Sequence, residues 1–181
     1  MRVIIVVLIA LAAADVYGAE LSNADFETFK SLLVGPSSRE GSSENDSPAG
    51  GSTTRWSFAE NGRSYDATFE AVAHGHAILE RNSGFIAVYY PVGVHSLLMT
   101  LYTRDGNQPR LSAKGFGENP AMMVFEFKDI TGWTKGTERI NGLELFFKDR
   151  DHLIEKWQTL KPNGTKTHFE FELTRSERDG H

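Results

Sequence analysis

The chain has 181 residues, a net charge of −5 and a pI near 5.7. That length suffices for one domain with a core of its own. The charge argues against nucleic acid and anionic membrane surfaces, which call for clustered Lys and Arg, and the absence of Cys excludes disulfides, thiolate metal sites and a Cys-linked lipid anchor.

Arg2 followed by the apolar run Val3 to Ala14 has the form of a secretory signal, with Val16-Tyr17-Gly18 as its cleavage region. The run is too short to span a bilayer. Residues 1–18 are therefore expected to be removed on export to the periplasm or the extracellular space. Arg2 and Asp15 leave together, so the mature charge stays at −5. No later segment is apolar enough for integral membrane insertion.

Residues 19–35 contain one predicted helix, Asn23 to Val34. Ser22 with Asp25 fits a capping pair in which a side chain takes up a free backbone N–H. Phe26, Phe29 and Leu33 share a face at helical spacing, as expected of a helix that caps a core. Residues 36–54 then hold no apolar side chain larger than Ala. Ser, Gly and Pro dominate there, and the stretch reads as a flexible insertion.

From Arg55 to residue 176 the apolar period changes to two, with turn residues every eight to twelve positions. Trp56 and Phe58 alternate, then Tyr65, Ala67, Phe69 and Ala71, then Ala77 and Leu79. Runs at Phe85 to Tyr90, His95 to Thr103 and Arg110 to Phe116 follow. Met123, Phe125 and Phe127 alternate with polar neighbours, as do Leu143, Leu145 and Phe147. Leu153 and Trp157 share a face. The PNGT turn at residues 162–165 opens a final hairpin strand with Phe169, Phe171 and Leu173 inward. Residues 177–181 read as a disordered tail. About ten consecutive strands without crossover helices predict a mainly β fold. The expected form is an up-and-down antiparallel barrel, with a β-sandwich as the alternative.

One stretch is more distinctive. Tyr102-Thr103 leads into Gly106-Asn107-Gln108-Pro109-Arg110, after an AVYY strand and before a DHLIEKW strand and a FEFELTR end. This pattern resembles a bacterial secreted family of unknown function with a lipocalin-like barrel. Phe26, Phe29, Lys30, Leu32, Val34 and Gly35 match that family's opening segment. Its usual Trp after the Gly is replaced by Pro36, and Trp56 is the candidate to take its place. Leu79-Glu80, Val88-Tyr89 and Thr100 extend the match, which spans most of residues 26–175. The resemblance implies a barrel with a cavity and no established reaction.

The residues expected to line a binding site follow from this frame. Pro109 bends the chain, Asn107 and Gln108 offer donors and acceptors, and Arg110 offers a planar fork for a carboxylate. Thr100 and Tyr102 put two hydroxyls on one strand face, which lines either the cavity or the outside. The expected ligand is a small hydrophobic or amphipathic molecule. Phe69, Leu98, Phe125 and Trp157 would bury its body, while Tyr102, Gln108 and Arg110 orient its head, with Glu80 or Glu155 as the partner of Arg110 in the empty site. No nucleophile elbow, phosphate loop or dinucleotide fingerprint appears, so no catalytic residue is assigned. His74 and His76 form H-x-H, but a predicted turn separates them and no third ligand is placed. Neither a metal nor another cofactor is expected. Two alternatives remain: a hydrolase or isomerase using Glu80 or Glu155 as a general base, and a solidly packed envelope interaction module. An ordered cavity above about 300 Å³ separates the packed module from the other two. A buried carboxylate without a structural partner favours the enzyme.

Overall fold

A computed structural model describes residues 23–35, 52–116 and 118–176. The expected secretory segment 1–18, the 36–51 part of the Ser/Gly stretch and the 177–181 tail lie outside the described residues. One helix, α1 (Ala24–Val34), precedes ten strands. These are β1 (Thr53–Glu60), β2 (Arg63–Val72), β3 (Ala77–Arg81), β4 (Phe85–Pro91) and β5 (Leu97–Thr103). They continue as β6 (Gln108–Ala113), β7 (Met122–Thr131), β8 (Arg139–Phe147), β9 (His152–Leu160) and β10 (Lys166–Arg175). Each strand pairs antiparallel with its neighbours in the chain, and β1 closes the ring on β10 through Trp56↔Arg175 and Ser57↔Thr174. The expected up-and-down barrel is thus the observed fold, and closure leaves no open sheet edge.

Alternation sends one side chain in two inward. Trp56, Phe69, Ile78, Tyr89, Met99, Leu101, Leu111, Met123, Phe125, Leu145, Leu153, Trp157 and Leu173 form a continuous buried core. One strand departs from the expected parity. In β3 the inward residues are Ile78 and Glu80, both fully buried, rather than Ala77 and Leu79. The register Phe69↔Glu80↔Ala87 fixes this phase, because Phe69 and Ala87 are themselves core residues.

Helix α1 closes one end of the barrel. Its cap is Asn23 rather than Ser22, which lies outside the described residues. Asn23 Oδ1 accepts from the Phe26 N–H at 2.9 Å, while Asn23 Nδ2 donates to the carbonyls of Gly93 and Ser96 at 3.1 and 3.2 Å. One side chain therefore caps the helix and ties it to the β4–β5 loop. Phe26, Phe29, Leu33 and Val34 are buried, each worth about 1.5–3 kcal/mol of transfer free energy. Phe29 reaches into the barrel, its ring 5.4 Å from Tyr89, 6.1 Å from Phe125 and 6.3 Å from Phe147. The last carbonyls of the helix are taken up by the barrel wall. Trp56 Nε1 donates to Leu33 O at 3.0 Å, Thr54 Oγ1 to Val34 O at 2.5 Å and Arg175 Nη2 to Leu32 O at 2.5 Å. The Arg175 guanidinium also covers the Trp56 ring at 4.6 Å. Trp56 thus seats the helix from beyond the Ser/Gly stretch.

Candidate functional site

The end away from α1 carries the β1–β2, β3–β4, β5–β6, β7–β8 and β9–β10 loops. Inward aromatic side chains gather beneath it. Phe85 meets Trp157 edge-on at 5.1 Å, and Trp157 stacks on Phe169 at 6.4 Å and 9°. Phe169, Phe171, Phe58 and Tyr65 continue the chain of ring contacts. Phe169 is 41% exposed although its neighbours Trp157 and Leu173 are buried, so the aromatic layer is open to solvent at this position.

Two carboxyl groups lie in the barrel core, Glu80 at 0% and Glu155 at 2% exposure. Glu80 is held by two donors: the Tyr89 hydroxyl at 2.5 Å from Oε2 and Asn82 Nδ2 at 3.4 Å from Oε1. Glu155 accepts from Trp157 Nε1 at 3.0 Å through Oε2. Its Oε1 is buried and has no hydrogen-bond partner. Burial pushes the Glu80 carboxyl well above the usual carboxylate range, with the Glu155 charge adding to the rise against the Tyr89 and Asn82 hydrogen bonds. Burial likewise pushes Glu155 up to about 7, opposed by the Trp157 N–H. The Tyr89 hydroxyl is raised by burial and by both carboxylates. Loss of water disfavours the ionised form of all three.

Of the expected site residues, Glu80, Phe125 and Trp157 point into the barrel, as does the wall residue Phe69. The GNQPR side chains do not join them. In β6 the inward residues are Pro109, Leu111 and Ala113, which places Gln108 and Arg110 on the outer face. Thr100 and Tyr102 also face outward, with Tyr102 44% exposed, because Met99 and Leu101 fill the inner face of β5. Leu98 shares that outer parity, although it is buried. Arg110 pairs with neither Glu80 nor Glu155. Its Nε and Nη2 grip Asp129 of β7 at 2.5 and 2.7 Å, beside a bulge where Arg110↔Asp129 gives way to Leu111↔Phe127. Asn107 takes part through its backbone, its carbonyl accepting from the Thr103 N–H at 3.2 Å and the Thr103 hydroxyl at 3.1 Å. Gly106 and Gly132 both have left-handed φ (78° and 72°), and a Cβ on Gly132 would fall 2.6 Å from Gly106 O. GNQPR therefore builds a β5–β6 turn packed closely on the β7–β8 turn.

Sequence reasoning placed Glu155 only as a partner of Arg110 or as a general base, and gave Tyr89 no role in the site. The signal for Glu155 was available, since Leu153 and Trp157 on one strand face place residue 155 between them. Two concavities stand out among the described residues, and neither is lined by Glu80 or Glu155. One, of about 870 Å³, runs along β7 to β10 and is lined by outward residues such as Glu144, Lys156 and His168 together with the inward-parity Phe125, Leu143 and Phe169. The other, of about 580 Å³, lies between α1 and the loops around Pro120 and Asp149. Among the described residues, no three His, Asp or Glu side chains gather to hold a metal ion, and no helix is long and apolar enough to cross a membrane.

No protein-family model matches the chain, and a search of curated proteins finds no match.

Proposed function

We propose that the protein is an exported, lipocalin-like carrier that captures a small hydrophobic or amphipathic molecule inside its barrel. The carrying observation is the pair of buried carboxyls under an aromatic layer that is open at Phe169. Burying a carboxylate costs several kcal/mol even after relaxation, and an apolar pair of the same size would pack as well. Two acids on the inner wall therefore support a barrel shaped around a polar group of something bound. The helix seals one end, so the ligand enters from the other and lays its body along Phe85, Trp157 and Phe125. The N-terminal segment supports export, and the resemblance carried by GNQPR supports the barrel class.

Glu155 favours a second reading. A carboxylate with one bare oxygen and a pKa near 7 suits a general base, so the same inner wall would serve proton abstraction from a bound carbon acid or alcohol.

Native mass spectrometry of the protein from its own host tests the carrier reading. Wild type should carry an extra mass that is lost on denaturation. Arg110→Ala should keep it, since Arg110 faces outward. Bare protein, together with an unchanged thermal midpoint after incubation with host lipid extracts, would sink the carrier reading.

A further inference from the structure

The charges buried in the barrel have one sign. Among the described residues the buried polar and charged side chains are Asn23, Thr54, Glu80, Glu155 and Thr159, and the two ionisable ones are both acids. No Lys, Arg or His is buried with them. Arg139, one of the cations at the open end, stacks 3.6 Å over Phe127, a partly buried ring packed against the core, and lies 5.7 Å from Trp133. A bound anion would therefore find two carboxyls and, among the described residues, no buried Lys, Arg or His.

Hydrogen-bond capacity points the same way. Glu80 has a donor on each oxygen, and Glu155 has one on Oε2. Glu155 Oε1 is left as a buried acceptor without a donor. Buried polar atoms are almost always satisfied, so Oε1 is the position at the carboxyl pair left for a hydrogen-bonding group from outside the chain. The π faces of Trp157, Phe85 and Phe169 close the same region, and such faces attract a cation.

We propose that the barrel ligand carries a protonated amine, which donates to Glu155 Oε1 and lies against the Glu80 carboxyl, while its apolar body occupies the aromatic layer of Phe85, Trp157 and Phe169. This rests on the carrier reading of the barrel and names its ligand class. The ammonium supplies the missing donor and the missing positive charge together. In the empty barrel burial favours the protonated acids. The incoming cation reverses that preference, so a carboxyl ionises and its proton leaves to solvent as the ligand binds.

Titration calorimetry at pH 6 with octylamine, octanol and octanoate tests this, because the three probes share one tail. Octylamine should bind at least about tenfold tighter than octanol, as expected for a charge-assisted hydrogen bond, and octanoate should bind weakest. Its apparent enthalpy should change between buffers of different ionisation enthalpy, which reports proton release and needs no variant. Glu155→Gln should erase the octylamine preference and leave octanol affinity within a few-fold. Octanol or octanoate binding as well as octylamine would overturn the amine assignment and leave the carrier reading standing. An octylamine preference that survives Glu155→Gln, or that shows no proton release, also overturns it. No binding of any of the three would count against both.

Discussion

Glu155→Gln gives the sharpest stability prediction. The Glu155 carboxyl, ordinarily near 4.5, sits at about 7 in the folded barrel because burial penalises its charge. Between these values the folded chain holds a proton that the unfolded chain has released. Stability is therefore full below about pH 4.5, falls as pH rises and levels off above about pH 7. At about 1.36 kcal/mol per pH unit, the loss attributable to Glu155 is on the order of 3 kcal/mol. Glu80 is shifted in the same direction and adds to the decline. Gln has nearly the same shape, can still accept from Trp157 Nε1 and carries no proton to lose. Urea denaturation at intervals from pH 4.5 to 8 should show wild type losing stability across the range and Glu155→Gln losing about 3 kcal/mol less. Asp149 and Glu172 are exposed carboxylates held below their usual range by backbone and His152 contacts and by Lys148, respectively. They act in the opposite sense, as pH falls, and are common to both proteins, so they cancel in the difference. Parallel curves for the two proteins would refute the reasoning.

Three further substitutions probe the frame around the site. Trp56→Phe removes the N–H that satisfies Leu33 O and should cost about 1–3 kcal/mol; amide exchange should rise selectively in the last turn of α1. Gly132→Ala forces a Cβ against Gly106 O at a left-handed φ and should destabilise the fold by about 1–3 kcal/mol in chemical denaturation. Arg110→Ala breaks an ion pair that is about two-fifths exposed on each side. Its denaturation midpoint should stay within replicate scatter, as surface pairs contribute little.

The barrel was legible because closure follows from a local pattern repeated ten times. Period-two runs such as Met123-Phe125-Phe127 fix which face is buried, and short turns leave antiparallel neighbours as the simplest pairing. The pattern misled where polar and apolar identity no longer tracked the face. In β3 an inward Glu80 reversed the apparent phase, so Ala77 and Leu79 looked inward. At GNQPR the conspicuous polar side chains suggested a binding mouth, whereas their register places them outside and leaves Pro109 facing the core. The partner of Arg110 could not be read from the chain either. Asp129 lies across a bulge that shifts the β6–β7 register by one residue, and such a slip has no signature in apolar spacing. The carboxyl pair needed tertiary structure, since Glu80 and Glu155 are 75 positions apart and only the closed barrel brings the charge of one to bear on the other.

The claim that a ligand lies inside the barrel is tested most directly by methionine methyl NMR during an octylamine titration. Met99 and Met123 are fully buried on the inner wall, while Met122 faces outward on the same strand as Met123. Binding within the barrel should shift the Met99 and Met123 methyl resonances in a saturable manner and leave Met122 in place. A saturable shift confined to Met122, or none at saturating probe, would contradict an interior site.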